Sequence, residues 1–164
     1  MNTEKLYMEK VTSFKTGMLF LNLSIFSSAL ALWRLQRTSP DTLVVIFLLI
    51  TTMFLFYTLN YRTLLITITN KEVTLQFGLF RWHMPLNTIA YCSRDTFSLW
   101  RIGGAGIHFS WFNKRYRAMF NFLEHDRVVL SLKKKKGLVS EVAFTTQNPD
   151  KVISLIQAQL HSNS

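Results

Sequence analysis

Two long apolar runs near the N-terminus constrain this chain more than any other feature. Residues 16–33 (TGMLFLNLSIFSSALALW) and 42–61 (TLVVIFLLITTMFLFYTLNY) contain no charged side chain. A helix needs about 20 predominantly apolar residues to cross the hydrocarbon core of a bilayer, which is about 30 Å thick. A chain of 164 residues has too little remaining sequence to cover two such helices on all sides. The runs therefore predict two transmembrane helices, at about 16–34 and 42–61.

The link between the runs, RLQRTSPD (34–41), is short and contains a helix stop and restart at Ser39-Pro40-Asp41. A link of this length predicts two antiparallel neighbouring helices. Trp33, Tyr57 and Tyr61 lie near the ends of the runs, where aromatic residues meet the membrane–water interface.

The distribution of basic residues predicts the orientation of this helical hairpin. Only Arg34 and Arg37 lie in the link, whereas the other side has six basic residues close to the runs, namely Lys5, Lys10, Lys15, Arg62, Lys71 and Arg81. The positive-inside rule then puts both termini in the cytoplasm, with residues 1–15 as a cytoplasmic segment and the chain in the inner membrane of a cell. A cleavable signal peptide ending near residues 29–31 is the alternative, although Glu4 and Glu9 are unusual for its n-region.

From residue 62 onward the sequence changes to short β-like runs. Residues 72–78 alternate apolar and polar side chains, and residues 127–132 and 138–146 flank a turn that contains Gly137. Asn148-Pro149-Asp150 has the features of a helix start, and apolar residues follow at helical spacing. We therefore predict a mainly-β domain over 62–164, with about seven strands and a C-terminal helix at about 149–160.

Four segments carry a resemblance to a known family: LLITITNKEVTLQFGLF (64–80), MPLNTI (84–89), RIGGAGIHF (101–109) and VAFTTQNPDKVISLI (142–156). Their order resembles that of bacterial pleckstrin-homology-like (PH-like) domains that are attached to membrane helices. The resemblance covers roughly residues 62–160. It implies a partly open barrel of antiparallel strands capped by the C-terminal helix. It does not imply phosphoinositide binding, because a fold does not fix a ligand.

No catalytic, cofactor or metal site is predicted. GGAG at 103–106 lacks the spacing of nucleotide-binding loops and is better explained as a bend between strands. The four histidines are dispersed, and His125, between Glu124 and Asp126, fits a turn. Cys92 is the single cysteine, so it has no partner for an intramolecular disulfide. An enzyme is therefore the weakest hypothesis.

Basic residues are the best functional lead. Residues 62–164 contain 14 Lys and Arg against 6 Asp and Glu. Lys133, Lys134, Lys135 and Lys136 are predicted at a hairpin tip, and Lys114, Arg115 and Arg117 alternate with aromatic residues. Each basic residue near an anionic leaflet contributes about 1 kcal/mol to binding. These seven residues are predicted to contact anionic lipids or a partner. A solvated turn explains the lysines equally well, and nucleic acid is not expected for a chain tethered to a membrane.

Two functional hypotheses follow. In the first, the chain is a non-enzymatic membrane-anchored domain that binds a protein partner or anionic lipid headgroups at the cytoplasmic membrane face. In the second, it is a structural or assembly subunit whose helices pack against another membrane protein, or a second copy, through Asn22, Ser24, Ser27 and Ser28.

Overall fold

The computed structural model describes residues 4–37, 39–98, 104–112 and 115–162. Two helices come early in the chain, α1 (Phe14–Leu35) and α2 (Thr42–Asn60), and α3 (Pro149–Ser162) ends it. The strands are β1 (Lys5–Thr12), β2 (Thr63–Thr69), β3 (Glu72–Phe77), β4 (Phe80–Pro85), β5 (Ile89–Arg94), β6 (Gly106–Phe112), β7 (Arg115–Asn121), β8 (Arg127–Lys136) and β9 (Val139–Thr145). One 3-10 turn, Leu86–Thr88, joins β4 to β5.

The first two helices form an antiparallel pair joined by a short link, as predicted. Each begins with a side-chain cap, Ser13 for α1 and Asp41 for α2, which accepts a hydrogen bond from a backbone N–H of the first turn. Both helices are long and apolar enough to cross a membrane, and only 17% and 6% of their most apolar windows are buried. The core helix of a soluble domain would be mostly buried, so this exposure favours membrane association.

The nine described strands form two sheets. The first has four antiparallel strands in the order β1-β2-β3-β4, and the second has five in the order β5-β8-β9-β7-β6. All neighbours in the second sheet are antiparallel except β7 and β9, which run parallel. The prediction of a mainly-β region followed by a C-terminal helix is confirmed. The described strands form no closed barrel.

The core lies between the two sheets and α3. Successive side chains of β3 point to opposite faces of the sheet. Val73, Leu75 and Phe77 are therefore buried on the same face, as predicted. Phe77 contacts Phe122 with ring centroids 4.9 Å apart, which joins the first sheet to the end of β7. Helix α3 buries Val152 and Ile156 in the same cluster and packs mainly on β5.

Two strands were not predicted, β1 and β4. We placed no regular element in residues 1–15, yet β1 pairs with β2 along its whole length. Its alternation is hard to recognise because the inward position before Val11 is occupied by Glu9, a charged residue. Residues 95–98, which follow β5, form no regular element.

The helix pair therefore lies, in the sequence, between two strands that are paired in the first sheet. One residue separates β1 from α1, and two residues separate α2 from β2. The Ser13 backbone N–H donates to the Arg62 carbonyl at 3.2 Å, which continues the β1–β2 ladder up to the start of α1 and the end of α2. The segment before the helices and the domain after them consequently lie at the same end of the pair.

Candidate functional site

The tetralysine lies in a strand and not in a turn, which corrects the prediction. Lys133–Lys136 are the last four residues of β8, and the turn consists of Gly137 and Leu138. Gly137 has φ +64°, the left-handed conformation that glycine adopts most easily in two-residue hairpins. All four lysines are exposed. The hairpin itself, with β8 antiparallel to β9, is confirmed.

The lysine end of β8 extends from the far end of β4 to the middle of that strand. Leu132 of β8 lies opposite Ile89, just beyond the far end of β4. Four residues later, the Lys136 ammonium donates to the His83 carbonyl at 2.9 Å and lies 4.9 Å from the Trp82 ring centroid. His83 is three strand residues from Phe80 at the start of β4, roughly 10 Å. Lys136 therefore lies roughly 10 Å from the start of β4, and Lys133, next to Leu132, is nearer the far end of that strand.

A shallow groove adjoins these lysines. It has a volume of about 330 Å³ and is lined by His83, Met84, Pro85, Thr88, Leu132, Lys134, Lys135 and Lys136. Its wall is mostly apolar, and three of its eight lining residues are lysines. An anionic group with a short apolar portion fits this combination, since the ammonium groups attract the charge and the wall accepts the apolar part.

Arg117 does not belong to an exposed basic surface, contrary to the prediction. It is 4% exposed, and its guanidinium pairs with Glu141 at 2.6 Å and with Asp95 at 3.2 Å. Arg127 pairs with the other oxygen of Asp95 at 3.1 Å. Arg115 is half exposed and pairs with Glu141 at 2.8 Å. Lys114 lies outside the described residues.

These side chains form a buried ion-pair network on the outer face of the second sheet. Asp95 and Glu141 each accept bonds from two arginines, so both buried carboxylates are compensated. Burial opposes the ionisation of Glu141, but the hydrogen bonds and charges of Arg115 and Arg117 outweigh burial and lower its pKa. The same pairing raises the pKa of Arg115.

The network holds the segment after β5 against the sheet. Arg127 also donates to the Phe97 carbonyl, and the Phe97 ring packs on Met119, Val129 and Ala143. A polar cleft of about 410 Å³ remains beside it, lined by residues that include Tyr91, Arg94 and Thr96. The sequence analysis missed Asp95 and Glu141. Glu141 lies on the face of β9 opposite the core residues Val142 and Phe144, so in VSEVAFT it has the spacing of a solvent-facing side chain and gave no signal of its burial.

The remaining candidate residues have structural roles. Gly104 accepts a hydrogen bond from the Asn121 amide at 2.7 Å, as expected for a bend at GGAG, whose Gly103 lies outside the described residues. Glu124 accepts from the Lys15 backbone N–H at 2.6 Å, at the start of α1. Cys92 is buried, and burial raises its pKa to about 12. The described residues contain no group of three or more His, Cys, Asp or Glu side chains that could hold a metal ion.

The predicted serine face of α1 is directed at its own partner helix. Ser24 and Ser27 are buried, and Ser27 Oγ lies 2.8 Å from Thr51 Oγ1 of α2. Ser28 donates to the Ser24 carbonyl at 2.9 Å. These serines stabilise the hairpin and are not available to another protein, whereas Asn22 is exposed on the outside of α1.

Comparison of the chain with protein-family models, with curated proteins and with solved structures found no match.

Proposed function

We propose that this chain is a non-enzymatic, membrane-anchored PH-like domain that binds anionic lipid headgroups through the lysine end of β8. In this proposal the helix pair spans the inner membrane, both termini face the cytoplasm, and the two sheets with α3 form the partly open barrel implied by the resemblance. The observation that carries the proposal is the path of Lys133–Lys136 along β4 toward the helix ends.

The distances support lipid contact. The turn before β4 contacts Asn60, the last residue of α2, so this turn lies at the level where the span ends. Lys136 reaches β4 roughly 10 Å beyond that turn. Electrostatic attraction extends over a Debye length of about 8 Å at physiological ionic strength, and extended lysine side chains shorten the gap. Attraction to an anionic leaflet is therefore partly screened at Lys136 and weaker at the lysines before it, so low ionic strength favours the contact.

The charges around the junction support the orientation. Lys10, Lys15, Arg62 and Arg81 are exposed close to the domain end of the helices. At the opposite end, Arg34 is paired with Asp41 at 2.6 Å. Basic residues concentrate on the cytoplasmic side of membrane proteins, which favours a cytoplasmic domain.

Amine footprinting of the full-length protein tests the lipid contact. The chain is reconstituted in nanodiscs of phosphatidylcholine alone or with phosphatidylglycerol, and acetylation of each lysine is followed by mass spectrometry. We expect Lys133, Lys134 and Lys135 to react more slowly in the anionic discs at low salt. Lys151, exposed on α3, is the internal control and should react equally in both.

A variant with Lys133, Lys134 and Lys135 changed to Gln provides the second measurement. It should co-purify with less phosphatidylglycerol than the unchanged chain, and added salt should remove the difference. Equal lysine reactivity in both disc types at low salt would rule out headgroup binding by β8.

Asn22 favours a second candidate function, a structural or assembly subunit. Its side chain lies eight residues into α1, roughly 12 Å along the helix axis, on the exposed surface. Within the described part of the chain this amide has no hydrogen-bond partner. Amide side chains in a bilayer promote helix association by bonding across helices. A membrane-protein partner or a second copy bound at this face would satisfy Asn22.

Cross-linking of the intact protein in native membranes tests this second function. Asn22→Leu should reduce the cross-linked species, and Thr52→Val is the matched control because Thr52 is exposed but already donates to the Leu48 carbonyl. A clean monomer in membranes and in mild detergent, unchanged by Asn22→Leu, would contradict it.

A further inference from the structure

Several large apolar side chains are exposed on two elements that each begin beside the end of α2. Leu79 is 80% exposed and Trp111 is 68% exposed, and Phe80 and Phe109 are each about half exposed. They belong to two separate elements, the β3–β4 turn and the edge strand β6. Their position relative to the ends of the helices determines what can cover them.

The β3–β4 turn is in direct contact with the end of α2. Gly78 lies so close to Asn60 that a Cβ atom on it would be 2.7 Å from the Asn60 carbonyl oxygen. The Leu79 backbone N–H also faces the Asn60 side-chain oxygen at 3.4 Å. Leu59, in the last turn of α2, is itself 80% exposed. The exposed Leu79 side chain is therefore beside the last apolar turn of the span.

Strand β6 begins at the same level. Gly106 is its first residue, and a Cβ atom added to it would lie 3.9 Å from the Tyr61 ring. Tyr61 directly follows α2, and its ring stacks on Phe80 with centroids 6.2 Å apart. Tyr61 thus connects the start of β6 to the start of β4. Of the five strands in the second sheet, β6 is the edge strand next to the helix end, while β5 is the edge covered by α3.

Phe109 and Trp111 extend this apolar region along β6. Both rings contact Tyr116 of β7, with centroids 5.7 Å and 5.8 Å away, so their inner edges are fixed by packing. Their outer faces remain open. Aromatic rings are enriched at the membrane–water interface, where one side of the ring is apolar and the other is hydrated.

From this placement we propose that Leu79, Phe80, Phe109 and Trp111 form a membrane-facing surface that inserts into the headgroup–acyl boundary of the bilayer that α1 and α2 span. This interfacial surface fixes the tilt of the domain by burying apolar area, and it acts on neutral and anionic lipids alike. Exposed Arg81 flanks it with a charge suited to lipid phosphate. The inference rests on the proposed membrane anchoring but not on lipid binding by Lys133–Lys136.

Spin labels at single cysteines in the full-length chain test the proposal. Cys92 is replaced by Ala, and a cysteine is introduced by Leu79→Cys or Trp111→Cys, both at exposed positions. The chain is placed in nanodiscs of neutral phosphatidylcholine. Collision of each nitroxide with oxygen, which concentrates in lipid, is compared with collision with a water-soluble nickel chelate.

Two control labels separate the outcomes. Ser154→Cys lies on the exposed surface of α3, far from the helix ends, and Leu49→Cys lies on the exposed surface of α2. We expect the oxygen-to-nickel ratio at 79 and 111 to be severalfold higher than at 154 and lower than at 49. Ratios at 79 and 111 equal to that at 154 would overturn the interfacial surface while leaving lysine-mediated binding intact. A low ratio at 49 would overturn the anchoring and this inference together.

Discussion

The carboxylate of Glu9 accepts a hydrogen bond of 2.5 Å from the Thr146 hydroxyl, across 137 residues of sequence. The same carboxylate accepts bonds from the Gln147 backbone N–H at 2.7 Å and from the Tyr7 hydroxyl at 2.9 Å. Burial and, as a smaller cause, the hydrogen bond and charge of Glu9 raise the pKa of Tyr7 to about 12. These bonds fasten the strand before the helix pair to the connection between β9 and α3.

We expect Glu9→Ala to destabilise the domain. It would leave the buried Thr146 hydroxyl and the partly buried Gln147 N–H without this acceptor, which costs about 1–3 kcal/mol in the free energy of unfolding. Thermal unfolding in detergent, followed by circular dichroism, measures the change. Glu4→Ala is the control, since Glu4 is exposed, and it should change stability by no more than about 0.5 kcal/mol. Equal melting temperatures for the two variants would contradict the role of Glu9.

Gly78→Ala should be more harmful than Gly137→Ala. Both glycines have positive φ, +52° and +64°, so alanine adds a backbone strain of about 1–2 kcal/mol at either position. At Gly137 a new Cβ meets nothing within 4 Å, whereas at Gly78 it would overlap the Asn60 backbone. Unfolding of the two variants in detergent compares them directly. If both lose the same stability, the β3–β4 turn is not in contact with α2.

Arg117→Ala should cost about 3–5 kcal/mol, because it leaves Asp95 and Glu141 buried with incomplete compensation. Arg115→Ala removes a half-exposed pair and should cost much less, about 1 kcal/mol or below. Chemical unfolding of the two variants distinguishes them. Similar small losses of stability in both variants would show that the network contributes little to folding. A larger loss of stability for Arg115→Ala than for Arg117→Ala would contradict the stronger role of the buried Arg117.

The network also predicts a pH dependence. The pKa of Glu141 in the folded chain lies below its ordinary value of 4.5, so the folded state binds this proton less readily than the unfolded state. Its contribution to stability is therefore complete above about pH 4.5 and is lost as the pH falls through the folded pKa. Glu141→Gln should show a smaller loss of stability between pH 7 and pH 3.5 than the unchanged chain. Parallel curves would contradict the lowered pKa.

The elements with strong periodicity could be predicted from the sequence. The two apolar runs gave helices within two residues of the predicted ends, and residues 72–78 formed β3 with the expected buried face. The capped helix after Asn148 also formed as predicted. In each case the signal is local, since it depends on spacing within one element.

The failures have a common physical cause, which is pairing across long sequence separations. From the sequence, Glu9 is expected to be exposed, but in the fold it accepts a bond from Thr146. Arg117 is likewise expected on the surface, but in the fold it pairs with Asp95 and Glu141. Composition does not show whether a charge is compensated by a distant residue. The tetralysine is an exception, because its position in the strand follows from a local pair: Lys136 lies opposite Val139, which confines the turn to Gly137 and Leu138.

The helix pair interrupts the β1–β2 hairpin, and this has a consequence for how the protein is made. Strand β2 can meet β1 only after both apolar helices have left the ribosome, so the first sheet is completed late in synthesis. A fragment that begins at residue 62 would lack β1 and would leave one edge of β2 without its partner. Conversely, joining Thr12 to Thr63 through a two-residue turn would make β1 and β2 a continuous hairpin and remove the two apolar helices.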